Sequence, residues 1–182
     1  MNSALFWTGV AKIAFGIGVG AVGVLAASRV LKRILGLSGL VADDDANRAT
    51  AAGVVWAGAF LALAILARHS VEATFAAIDF ISEGPRPARG MLAQLTLYAL
   101  GHAALSLAVG ALALSLGVWL FTSMTRDVDE LREIRRGRLA PAIVLATVIV
   151  VLALLTAPGL ETALSGLIPF PQLPPGLESP PG

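Results

Sequence analysis

Residues 139–157 read LAPAIVLATVIVVLALLTA, nineteen successive positions without a charged side chain. A helix on the surface of a soluble domain carries a polar face, and this stretch has none. At about 1.5 Å rise per residue, about 20 such residues cross the ~30 Å hydrocarbon layer of a bilayer. Lipid offers no hydrogen bonds to the backbone, so the segment must satisfy its own as an α-helix. Three other stretches share its character. Residues 5–27 are apolar except for Lys12, residues 49–67 hold no charge, and residues 97–121 have His102 as their single ionisable side chain. The expected fold is an all-α integral membrane protein with four transmembrane helices.

Composition agrees. Of the 182 residues 57% are hydrophobic and 14% charged, against roughly 45–50% and about 25% in soluble domains. A net charge of +1 gives no electrostatic pull toward nucleic acid. The chain has no cysteine, which excludes disulfides, thiolate metal sites and cysteine nucleophiles. The first span lacks a basic leader and is followed by Arg29, Lys32 and Arg33, so it reads as a retained span and not as a signal peptide.

Loop charge sets the orientation. The segments after spans one and three carry nine of the thirteen Lys and Arg, the segment after span two carries three, and Lys12 lies within span one. The nine-cation side is expected in the cytoplasm, which places both termini outside. Trp7 and Tyr98 then mark the outer interface and Trp119 the inner one.

Two halves follow one script, each with a long span, a charged loop and a shorter span. Asn47-Arg48-Ala49-Thr50-Ala51 aligns with Arg138-Leu139-Ala140-Pro141-Ala142, and Val71-Glu72-Ala73-Thr74-Phe75 with Leu160-Glu161-Thr162-Ala163-Leu164. Each half has an even number of spans, so the expectation is two parallel two-helix repeats, residues 1–90 and 91–170. Residues 171–182, rich in proline, form an extended disordered tail. Between spans three and four, Val128, Leu131 and Ile134 recur among acids and arginines, which predicts a short amphipathic helix ended by Gly137.

The repeat and its loop resemble the YjfL family of small bacterial inner-membrane proteins built from a duplicated two-helix unit. The resemblance rests on Asp129-Glu130-Leu131-Arg132-Glu133-Ile134 followed by Gly137, Ala140, Ala142 and Ile143, and on Asn47, Ala49 and Ala51 in the first half. The first half has Ala46 where that family's motif has glycine, and the second has Arg138 in place of asparagine. The resemblance covers about residues 5–170 and implies a bacterial inner-membrane location in the company of envelope-stress proteins. It implies no activity.

Few residues suggest chemistry. Gly18-Val19-Gly20-Ala21-Val22-Gly23 spells GxGxxG, but a dinucleotide fingerprint follows a strand and this one lies inside a span. Gly16, Gly20 and Gly23 instead read as a helix-packing face, suited to a homo-oligomer. Lys12 and His102 lie at similar depth near the outer ends of their spans and are the candidate pathway residues, because ionisable groups are expensive in lipid. The bland readings are that Lys12 snorkels to the headgroups and that His102 stays neutral, bonded to Ser106 or a carbonyl. Asp79 falls in an apolar segment after span two, read as an interfacial helix, with a re-entrant loop as the alternative. Asp43-Asp44-Asp45 reads as a helix cap. Arg132, Arg135, Arg136 and Arg138 are expected to touch anionic lipid or a cytoplasmic stress-response partner.

Catalysis has no convincing constellation, and no cofactor or metal site is expected. The leading expectation is a non-enzymatic scaffold or partner subunit in envelope maintenance. The alternative is a small oligomeric ion or proton channel with His102 and Lys12 facing its pathway.

Overall fold

A computed structural model describes residues 3–35, 45–82, 91–124 and 129–167. It consists of α1 (Ser3–Leu35), α2 (Ala46–Ser82), α3 (Met91–Met124), the short α4 (Glu130–Arg135) and α5 (Leu139–Ser165). Four of these, all but α4, are long and apolar enough to cross a membrane. The described residues contain no strand. Asp43, Asp44 and the expected tail at 171–182 lie outside the described residues.

The expected spans lie within these helices, which run further than the apolar stretches alone. The segment around Asp79 is neither a separate interfacial helix nor a re-entrant loop, because α2 continues unbroken through it to Ser82. Nothing in VEATFAAIDF (residues 71–80) stops a helix: it has no glycine or proline. Likewise α5 continues through Pro158 to Ser165.

The hub is α2. It packs most extensively on α5, then on α3 and α1, while α3 also touches α5 and α1. Thus α1 and α5 flank the α2–α3 pair. Helices α2 and α5 run parallel: Gly137, just before α5, rests on Asn47 at the start of α2. At their other ends His69 Nδ1 lies 3.8 Å from Glu161 Oε2. The end where α2 and α5 begin is called the basic end below, and the opposite one the distal end.

Lipid tails are as apolar as leucine, so helices in a bilayer associate by close packing over small residues. The α2–α5 seam shows this with Ala51, Val55 and Ala59 against Ala142, Leu145 and Ile149, all fully buried. Gly58 is the point of closest approach: a Cβ there would stand 2.7 Å from the Cβ of Ala146 and 2.9 Å from its Cα. Gly117 plays the same part under Ile149, and Gly110 lies under Leu63.

Helix α1 attaches by a narrow seam, burying Val19, Gly23, Ala27 and Leu31 at four-residue intervals. Ile13, Ile17, Val22 and Leu25 stay exposed. Of its expected packing glycines, only Gly23 meets a neighbour, Leu107, while a Cβ on Gly16 or Gly20 would meet nothing within 4 Å.

A candidate polar ladder at the distal end

Charged residues locate the distal boundary of the hydrocarbon layer. Twenty residues of α2 from Ala49, about 30 Å of helix, reach Arg68. There Arg68 Nε donates to Glu72 Oε1 at 2.8 Å, and Glu72 Oε2 and Glu161 Oε2 each lie 3.8 Å from His69 Nδ1. This group joins α2 to α5 at the edge of the bilayer.

The α2–α3 interface beside it is polar over two turns. His102 is fully buried, and its Nδ1 stands 3.2 Å from Thr74 Oγ1 on α2. The Thr74 hydroxyl donates to the Ser70 carbonyl at 2.8 Å, which leaves its oxygen able to accept from the Nδ1–H tautomer of His102. The backbone of Leu164 on α5 lies beside the imidazole, and the Tyr98 ring is 6.3 Å away between centroids. The two helices are antiparallel, and one turn further in Ser70 and Ser106 occupy corresponding levels. Below them Gly110 sits under Leu63 and Leu66. Thr74 and His102 meet, Ser70 and Ser106 lie at the next level without a bond between them, and this polar stretch sits just distal of Arg68 with leucine inward of it.

Every member of this ladder is at least 98% buried. Yet the Ser70 hydroxyl, the Ser106 hydroxyl and His102 Nε2 have no hydrogen-bond partner among the described residues. Hydroxyls elsewhere in these helices turn back to their own backbone, as Thr50, Ser115, Thr147 and Ser165 do to the carbonyl four residues earlier. The expected bond from His102 to Ser106 does not form. Thr74 takes its place because α2 brings a hydroxyl across the interface.

Lys12 is exposed, and its Nζ lies 5.1 Å from the centre of the Phe75 ring. The ring face stabilises the ammonium at the membrane edge. Lys12 and His102 thus reach adjacent residues of α2, Phe75 and Thr74.

At the basic end α4 docks on α2 and α5 through the buried Ile134. Asp129 caps it, accepting from the Arg132 backbone N–H at 3.1 Å. Three of the four candidate contact arginines face carboxylates within their own segment. Arg132 lies 3.3 Å from Asp129, and Arg136 and Arg138 each donate to Glu133 at 2.9 Å. Arg135 Nε donates to the Leu131 carbonyl at 3.2 Å. The Arg138 and Arg136 guanidiniums hold the Glu133 carboxyl below the usual carboxylate range. A depressed folded pKa gives stability that is present at neutral pH and lost as pH falls through that lowered value. Acid titration is therefore expected to loosen α4 only below the ordinary carboxylate range, as followed by the Ile134 methyl signals in NMR. In Glu133→Gln that transition should vanish; an unaltered transition would assign it elsewhere.

The ladder was partly legible. Ser70 with Thr74 and His102 with Ser106 are both four apart in apolar surroundings, a spacing that puts each pair on one helix face. The pairing of the two faces was not legible, since it depends on how α2 and α3 pack.

No curated protein and no solved structure matches the chain. Residues 4–160 match the family described as Domain of Unknown Function (DUF350). That match spans both long-helix pairs and the ladder between them, so the chain belongs to the DUF350 family.

Proposed function

We propose that this chain is a non-enzymatic membrane protein that carries protons or small cations along the α2–α3 ladder. One observation carries the reading: Ser70 Oγ, Ser106 Oγ and His102 Nε2 are buried at successive levels of the α2–α3 interface without a hydrogen-bonded side-chain partner among the described residues. A buried polar group left without a partner destabilises a fold by about 1–3 kcal/mol, so these groups favour a polar occupant between the helices. His102 suits proton traffic because an imidazole can take up a proton at one ring nitrogen and release it from the other. Leu63 and Leu66 over Gly110 close the inner end, and Thr74 and His102 are buried at the distal one, so the arrangement corresponds to a shut pathway.

The setting proposed for it is the bacterial inner membrane, with the basic end in the cytoplasm, both termini outside, and a homo-oligomer as the working form. Two parallel repeats of the YjfL type are supported by the meeting of aligned positions: Glu72 and Glu161 both reach His69. The scaffold reading, a partner subunit in envelope maintenance or stress, draws support from the docked α4, which leaves Arg132 and Arg135 exposed.

The test is proton flux in proteoliposomes under a pH gradient, with wild type beside His102→Ala. Flux above empty liposomes is expected, most of it lost in the variant. Correctly inserted wild type that leaks no more than empty liposomes would overturn conduction and favour the scaffold.

A further inference from the structure

The cations at the basic end do not share one environment. Around α4 they meet carboxylates of their own segment, Arg132 beside Asp129 and both Arg136 and Arg138 on Glu133. At the start of α2, Arg48 lies 3.5 Å from Asp45. The end of α1 is different. Arg29, Lys32 and Arg33 are exposed, and none of the ion pairs among the described residues includes them. Spacings of three and four residues put all three on one face of the helix, where like charges repel. The C-terminal end of a helix offers about half a negative charge, which three cations outweigh. Val30 and the buried Leu31 hold this end against the bundle, so the cations project from an anchored turn. Together with Val30 they line an open recess of about 500 Å³.

We infer that this turn of α1 binds the phosphate headgroup of an anionic phospholipid. Position selects the occupant. Arg29 follows the apolar stretch 5–27 by two residues, and Val24 and Leu25, about one turn before it, are exposed. The patch therefore lies where hydrocarbon gives way to headgroups. Long Lys and Arg side chains run their stems along apolar surface and carry their charge to that level. The two guanidinium groups offer paired N–H donors to phosphate oxygens, and the Lys32 ammonium adds a point charge. The acyl chains of the same lipid then cover Val24 and Leu25. An acidic protein segment would match the charge but would have nothing to set against those two side chains. The ladder lies at the opposite end of the bundle, so this site does not depend on conduction.

Native mass spectrometry of the full chain in detergent tests the site, with phosphatidylglycerol and phosphatidylcholine of identical acyl chains as the probes. A cation near an anionic surface strengthens attachment about fivefold. With three of them, the wild type should retain phosphatidylglycerol about tenfold or more over phosphatidylcholine. Arg29→Gln, Lys32→Gln and Arg33→Gln together should abolish that preference, whereas Arg132→Gln with Arg136→Gln should leave most of it. Equal retention of the two lipids by the wild type would overturn the inference, and that comparison needs no variant to fold. An equal loss in the two variants would also overturn it. So would displacement of the lipid by inorganic phosphate or by an oligoglutamate peptide, which would assign the patch to a soluble anion or to an acidic protein.

Discussion

Replacing Gly58 by valine is expected to lower the unfolding free energy by about 3 kcal/mol or more, at the upper end of overpacking effects. The α2–α5 seam is the most extensive contact in the molecule, and Gly58 is where its helices come closest. A Cβ there would lie 2.9 Å from the Cα of Ala146 and 3.1 Å from its carbonyl oxygen. These are backbone atoms in a helix, so no rotamer change relieves the clash and α5 itself must move. Intrinsic propensity works the other way, since glycine is about 1 kcal/mol less favourable than alanine in a helix. Gly53 isolates that term. It lies on the same helix, and a Cβ there meets nothing within 4 Å, so Gly53→Ala should be neutral or slightly stabilising. Unfolding in mixed micelles reads both. Equal, small effects at the two glycines would show that the seam is looser than described.

Gly137→Ala is expected to cost about 2–4 kcal/mol through two separable causes. Gly137 has φ of +90°, a conformation that costs an L-residue about 1–3 kcal/mol. Its missing side chain is also needed, since a Cβ would lie 2.9 Å from the Arg48 nitrogen and 3.0 Å from the Asn47 Cβ. The loop from α4 to α5 would have to lift off the start of α2, freeing Ile134. Asparagine tolerates positive φ better than alanine does, so Gly137→Asn distinguishes the causes. Close approach predicts no rescue by asparagine. Recovery of wild-type stability would assign the effect to φ alone. Limited proteolysis within α4 reports the undocking.

How far the sequence reaches can be judged from particular residues. The helix carried by residues 139–157 needed only hydropathy and length, because a backbone in lipid has no alternative to internal hydrogen bonds. The short α4 was legible from the three-residue spacing of Leu131 and Ile134 and from Gly137 as its stop, because each signal is local. The segment around Asp79 was not. A carboxylate in an apolar run suggests an interface, yet α2 extends past the bilayer edge, where Asp79 is exposed to solvent. The role of the arginines around Glu133 also escaped a count of charges. Which carboxylate each one faces depends on side-chain geometry over a turn of helix and a loop.

What the sequence alone determined is the number of spans, their helical nature and the helix between the third and fourth. These follow from transfer energies summed over twenty residues at a time. The family match rests on the same residues. Only the tertiary structure decided which small residues are contacts and which make space. Gly58 and Gly110 press against neighbouring helices, whereas Gly20 borders a recess. It likewise decided that His102 meets Thr74 and leaves Ser106 unpaired. In lipid every face of these helices is apolar, so hydropathy does not say which face turns inward. Close packing of particular side chains makes that choice.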